Sequence, residues 1–154
     1  MKTVIVTACG ARKNPIPTLA YKLYKSSRIK ALHSRRSSSD MYILSAEYGL
    51  VNANEVIDPY ERLMDEQRAK ELVPSVAKRL REYDYVIFFK GGARKAYFSC
   101  IRAACDKAGR ALVAFGYANM GGINDLPKIL KLLHERGLDA LPNIEHLKVF
   151  PYKS

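Results

Sequence analysis

Short β-branched or aromatic runs alternate along this chain with longer stretches of helical period, the pattern of an α/β domain on a mainly parallel sheet. Thr3-Val4-Ile5-Val6-Thr7 reads as a buried strand that ends at Ala8-Cys9-Gly10, and a polar loop through Lys13, Pro15 and Pro17 follows. Residues 27–37 predict a helix capped by Ser26 or Ser27, with Ile29 and Leu32 facing inward. Residues 41–45 form the second expected strand. The stretch 50–64, which holds Pro59, has no clear period and is expected to be a long functional loop. In residues 65–83, Ala69, Leu72, Val73, Val76, Ala77 and Leu80 share one face of an amphipathic helix that Pro74 should kink or split.

Residues 85–89 are apolar throughout, as expected of a central strand covered on both faces. Gly91-Gly92 then open a helix to about residue 107, and residues 111–115 make a fourth strand. Gly121-Gly122 precede a last helix capped by Asn124 or Asp125, with Leu126, Ile129, Leu130 and Leu133 inward and Gly137 as its stop. The tail, 147–150, offers an edge strand. The expected architecture is one three-layer α/β domain over residues 1–154, with about four to five mainly parallel strands flanked by helices.

Composition narrows the setting. The chain has 154 residues, 48% of them hydrophobic, which suits one domain with a real core and excludes disorder. Its three cysteines, Cys9, Cys100 and Cys105, form no C-x-x-C and sit near no histidine cluster, so neither a disulfide framework nor a metal site is expected. No apolar run approaches the roughly 20 residues that span a bilayer, and the start of the chain lacks a signal peptide's long apolar core. A cytoplasmic protein with no membrane partner is the expectation. Charge changes the picture more. The net charge is +11, and residues 1–39 carry nine basic side chains and no acid. Such polarity attracts a polyanion, making nucleic acid or a phosphorylated nucleotide the natural partner, although a solvated basic face would look the same.

Ligands of open parallel sheets bind beyond the carboxyl ends of the strands, so the loops there carry the candidate chemistry. After the first strand, Cys9 could be a nucleophile whose thiolate Arg12 and Lys13 favour, and Lys13 could itself be a nucleophile or an anion clamp; a structural thiol beside a basic turn is the plainer alternative. After the second strand stand Ser45, Glu47, Tyr48 and Gly49. Glu47 could serve as acid, base or base-edge reader, Ser45 and Tyr48 as substrate contacts, and Gly49 as a sharp turn. Tyr60 lies in a loop that could fold over the same site. Gly91-Gly92-Ala93-Arg94-Lys95 suits a phosphate through close backbone approach, a helix N-terminus and two cations. It is neither a Walker loop nor a dinucleotide fingerprint, and no cofactor is expected. Residues 116–124 make a fourth loop, whose Tyr117, amides and glycines could line a base pocket, and tyrosines such as Tyr24 and Tyr97 could stack on bases or simply bound the core.

Thr7-Ala8-Cys9-Gly10-Ala11-Arg12-Lys13, Leu23-Tyr24-Lys25-Ser26-Ser27, Ile43-Leu44-Ser45-Ala46-Glu47-Tyr48-Gly49-Leu50-Val51 and Asp58-Pro59-Tyr60 together resemble a group of small phage, bacterial and archaeal domains. That group is similar to the YaaA peroxide-stress proteins and to the central domain of archaeosine synthase. The resemblance covers most of residues 3–125. Cys9, Tyr24, Ser26 and Ser27 lie on the archaeosine synthase pattern of Pro-Cys, Lys-Pro-Tyr and Ser-x-Ser-His, while the prolines and the histidine of that pattern have no counterpart here. The resemblance implies an α/β domain that handles nucleobases or nucleic acid.

These features point to a base-modifying enzyme acting on nucleic acid or nucleotides by base exchange, glycosidic cleavage or modification of a base side chain. Cys9, Lys13 and Glu47 are its candidate catalytic residues, and Arg12, Tyr24, Ser26, Ser27, Ser45, Tyr48, Gly49, Tyr60, Gly91, Gly92, Arg94, Lys95 and Tyr97 its candidate substrate contacts. The alternatives are a non-catalytic DNA- or RNA-binding module that uses the basic residues 1–39 on the backbone, and a regulatory domain without activity.

Overall fold

A computed structural model describes residues 2–10, 12–116, 122–143 and 148–150. Four parallel strands form the centre of the sheet: β1 (Thr3–Ala8), β3 (Asp40–Ser45), β6 (Tyr85–Phe89) and β7 (Ala111–Phe115). Antiparallel strands border them, β4 (Gly49–Asn52) beside β3 and β8 (Lys148–Phe150) beside β7, giving the order β4-β3-β1-β6-β7-β8. The sheet thus has six strands rather than four or five. The extra one is β4, inside the stretch expected to be a loop: Gly49, at φ +75°, reverses the chain tightly enough for Leu50 and Val51 to pair back on Leu44 and Ile43. Within the same stretch, β5 (Val56–Ile57) pairs with β2 (Thr18–Leu19) in a separate two-stranded ribbon. Residues 53–55 turn between β4 and β5, and residues 58–64 keep the irregular form expected of the whole stretch.

Side-chain alternation along the strands makes two cores. Val4, Val6, Leu44, Val86, Phe88, Leu112 and Ala114 face α3 (Glu66–Leu80) and α4 (Lys95–Ala108). Ile5, Met41, Ile43, Ile87, Phe89, Val113 and Phe115 face the short α1 (Ala20–Leu23), α2 (Ser27–Ser34) and α5 (Leu126–Arg136). A strand buried on both faces leaves few polar positions, here Thr3, Thr7 and Ser45, which is why these runs read as largely apolar.

The helices are set by local chemistry. Asp65 caps α3 by accepting from the Arg68 N–H at 2.7 Å, and Glu66 and Lys78-Arg79 complement its dipole. The helix runs unbroken through Pro74. That residue is exposed and forfeits one backbone bond, while Ala69 and Leu72 before it and Val76, Ala77 and Leu80 after it hold both halves on the sheet. Helix α2 stops at Ser34 rather than at residue 37: Arg35 leaves helical geometry as the C-cap, and Ser37 beyond it takes a left-handed φ of +57°. Gly91-Gly92 do not open α4. The first helical residue is Lys95, Arg94 is the N-cap, and the glycines form the preceding turn, with Gly92 at φ +73°. Asp125 flanks α5 without capping it; its carboxylate accepts instead from the Gly122 N–H at 2.8 Å.

The loops after β6 and β7 approach closely. A Cβ at Gly116, where φ is +84°, would stand 2.3 Å from the Phe89 ring, and one at Gly91 would stand 2.8 Å from the Gly116 carbonyl. Gly116→Ala is therefore expected to destabilise the fold by about 2–4 kcal/mol, from strain and overpacking together. Urea unfolding measures this, and a change under about 0.5 kcal/mol would contradict the close approach.

Candidate functional site

The strand order reverses between β1 and β6. From β1 the chain leaves through α2 toward β3, and from β6 it leaves through α4 toward β7, on the opposite face of the sheet. The two connections diverge and open a crevice beyond the ends of these strands, the usual ligand position of such sheets. A cleft of about 760 Å³ occupies it. Its walls come from the loop after β1, the start of α2, the irregular segment before α3 and the turn before α4.

Arg28 is built into the floor. Its guanidinium donates to the Ala8 carbonyl at 2.9 Å and to the Gly91 carbonyl at 3.0 Å, joining the end of β1 to the loop after β6. Burial lowers the pKa of this arginine, opposed by the neighbouring Cys9 and Tyr97. Its Nε is buried and has no hydrogen-bond partner among the described residues. Ser26 caps α2 by accepting from the Ile29 N–H at 3.3 Å, which turns the first residues of α2 toward the strand ends. Opposite, the backbone of residues 12–14 pairs with that of residues 23–25: Lys25 N–H donates to the Arg12 carbonyl and Asn14 N–H to the Leu23 carbonyl.

Cys9 follows β1 directly, and its N–H donates to the Leu44 carbonyl at 3.1 Å. Its Sγ lies 3.0 Å from the Tyr97 hydroxyl on α4. Beside it runs a chain of hydroxyls. Ser45 Oγ accepts from the N–H groups of Glu47 and Tyr48 and donates to Tyr60 Oη at 2.8 Å. The Tyr60 proton is left for Tyr24 Oη, 2.7 Å away, or for Cys9. Burial, then the proximity of Cys9, raises the pKa of Tyr24, Tyr60 and Tyr97 well above the ordinary phenol value. All three remain phenols at neutral pH, so the hydroxyl of Tyr97 beside the sulfur keeps its proton. Lys13 Nζ stands 4.4 Å from the centre of the Tyr60 ring, a cation–π contact that holds its charge at the cleft.

Of the residues expected from sequence, Cys9, Arg12, Lys13, Ser26, Ser27, Gly92, Arg94 and Tyr97 line the cleft. The others stand elsewhere. Tyr24 and Ser45 are fully buried and support the floor from beneath through Tyr60. The Gly91 carbonyl is taken by Arg28, and Lys95 is an exposed first helical residue outside the cleft wall. Gly49 serves the β3–β4 turn, and Tyr48 is exposed, donating to the Asp58 carbonyl beside a different surface pocket. Glu47 does not line the cleft. Its carbonyl accepts from Arg68, and its carboxylate pairs at 3.6 Å with Arg62, which does line it. Tyr117 and the rest of residues 117–121 lie outside the described residues.

Sequence reasoning missed Arg28, Lys25 and Leu63 as lining residues, and carried Glu61 and Arg62 only as part of the loop that could fold over the site. Arg28 did carry a signal. A cation in a first helical turn that has no acid opposes the macrodipole, and Arg28 is held there by two carbonyls outside its helix. With it, six cations (Arg12, Lys13, Lys25, Arg28, Arg62 and Arg94) face one carboxylate, Glu61, around the cleft. The arrangement can hold an anionic group against a thiol flanked by phenolic donors. Among the described residues no cluster of His, Cys, Asp and Glu could hold a metal ion, and no helix is long and apolar enough to cross a membrane.

Two expectations follow. The raised phenol pKa values mean that the stability these groups contribute is whole below about pH 10, the unfolded value, and is lost as pH rises beyond it. Thermal melts should be level from pH 8 to 9.5 and fall above 10, and Tyr60→Phe should shallow that fall; an equally steep fall in the variant would remove Tyr60 from the account. Burial pushes the Cys100 and Cys105 thiols up to about 12, whereas Cys9 opens to the cleft. Thiol titration of the native protein should count one fast sulfhydryl, absent in Cys9→Ser; two or more fast groups would contradict this placement.

No curated protein and no solved structure matches the chain. Residues 4–114 match a family model, and that segment contains every residue that lines the cleft. The chain belongs to this family, a family of unknown function designated DUF6884.

Proposed function

We propose that this protein is an enzyme that takes a phosphate-bearing nucleobase substrate, either a nucleotide or a segment of nucleic acid, into the cleft between β1 and β6 and modifies its base. The observation that carries this reading is the convergence of six cations on the Cys9–Tyr97 pair at the switch point of the sheet. Arg12, Arg94 and the turn at Gly92 receive the phosphate. Cys9 serves as nucleophile or as the contact that orients the base, and Tyr97 is the proton donor beside it. Lys13, held over Tyr60, acts as the anion clamp. Glu47 acts through Arg62, fixing the position of that cation rather than meeting substrate. The resemblance to YaaA-like and archaeosine synthase domains agrees with a base as the target. A second reading, a binding module without catalysis, is favoured by the exposure of Arg12, Lys25, Arg62 and Arg94 at the rim, where they could track a phosphate backbone.

Fluorescence anisotropy with labelled single-stranded DNA, duplex DNA and tRNA, with calorimetry for mononucleotides, tests the substrate class. For three phosphate contacts, raising salt from 50 to 200 mM should weaken nucleic-acid binding roughly 20- to 40-fold. Undetectable binding of every one of these at low salt would overturn the proposal. Nucleoside mass spectrometry of DNA and tRNA from cells expressing wild-type or Cys9→Ala protein separates the two readings: an enzyme leaves a changed base that the variant does not, and a binding module leaves identical profiles.

A further inference from the structure

A second cavity of about 700 Å³ lies beside α2, against Lys30, His33 and Ser34. One wall is the Pro15-Ile16-Pro17 strip, in which the Ile16 side chain is 71% exposed. The strip is tied down at Asn14, whose N–H and side-chain amide each donate at 2.7 Å, to the carbonyls of Leu23 and Lys22 respectively. The facing wall is an aromatic pair, Tyr21 and His33, with ring centroids 3.7 Å apart and planes within 3° of parallel. Asn54 fixes the imidazole through a 3.1 Å bond to Nε2, and Arg36 contacts Nδ1. Burial foremost, and then the Arg36 charge, lower the His33 pKa against the opposing bond from Asn54, so the ring is neutral at pH 7. Lys22 and Lys30 supply charge at the edges, with Lys22 Nζ 5.6 Å from the Tyr21 ring centre. All the lining residues belong to the acid-free stretch 1–39.

Aromatic rings, an apolar wall and lysines without a carboxylate are the elements of a single-stranded nucleic-acid subsite: the rings take a base and the cations take its backbone. The two cavities are flanked by neighbouring residues of the same segments. Lys13 lines one and Asn14 the other, and α2 presents Ser27 and Arg28 to the cleft and Lys30 and His33 to the second cavity. Ser27 and His33 are about 9 Å apart along the helix axis at ~1.5 Å per residue. That is two to three stacked nucleotide steps of ~3.4 Å.

We propose that the Tyr21–His33 cavity is a second base-binding subsite, holding a base two or three nucleotides from the one in the main cleft, so that the substrate is a single-stranded nucleic acid segment and not a free nucleotide. This rests on the reading of the main cleft given above. The test compares an eight-residue single-stranded oligonucleotide, as DNA and as RNA, with the mononucleotide. The wild-type protein binds the oligonucleotide more tightly. Tyr21→Ala weakens oligonucleotide binding roughly 5- to 150-fold, the range for one stacked base, and leaves mononucleotide binding within twofold. Ile16→Asp, at a side chain that lies outside both cores, does the same by placing a carboxylate in the cavity. Lys30→Glu lowers the salt slope of oligonucleotide binding and spares the mononucleotide. The subsite is overturned if the oligonucleotide binds no tighter than the mononucleotide, or if both Ile16→Asp and Tyr21→Ala leave its affinity unchanged; mononucleotide binding then still stands for the main cleft. If neither probe binds, the subsite and the reading of the cleft fall together.

Discussion

The site depends on a single planar guanidinium. Where two neighbouring parallel strands send their connections to opposite faces, their last carbonyls lose the partners that the ladder supplied, and the opening between them invites water. Arg28 meets both ends at once, bonding Ala8 on one side and Gly91 on the other. Its fork geometry suits two acceptors that diverge by the width of a strand pair, which a lysine's single ammonium does not reproduce. A buried cation is costly to desolvate, and here two carbonyl dipoles offset that cost. The same residue gives the floor of the cleft its positive charge.

Two kinds of group are thereby brought together that the chain order keeps apart. Cations supplied by the loop after β1, by α2 and by the turn before α4 create the field, and buried hydroxyls from β3 and the irregular segment supply orientation. The hydroxyl chain has a direction because Ser45 already accepts two backbone donors and must pass its own proton to Tyr60. Because the phenols resist ionisation, they place hydroxyls near Cys9 without adding negative charge to a cleft lined by six cations.

The layers were legible because the strands of this sheet are apolar on both faces and its helices keep a clean 3.6 period, as Leu126, Ile129, Leu130 and Leu133 do on α5. The capping role of Ser26 and the stop at Gly137 follow from side-chain and backbone chemistry that needs no tertiary information. Strand β4 was hidden because its pairing depends on a turn at Gly49 and a partner already in place, and the two-residue strands β2 and β5 are too short to show a period. The loops that carry the site were visible as strand ends. Which of their side chains turn inward was not. Glu47 sits one residue past a buried Ala46 and pairs outward with Arg62, and Ser45 and Tyr24 point beneath the cleft into the core. Such orientation is fixed by packing across the sheet, which local sequence does not encode.

The Glu61-Arg62-Leu63 wall is held at its two ends, by the Tyr60 hydroxyl in the buried chain and by the Met64 side chain in the core facing α3. Between these pegs the three side chains are exposed and contribute nothing to either core. Substitutions in this short awning can therefore reshape the mouth of the cleft without removing a side chain that either core depends on.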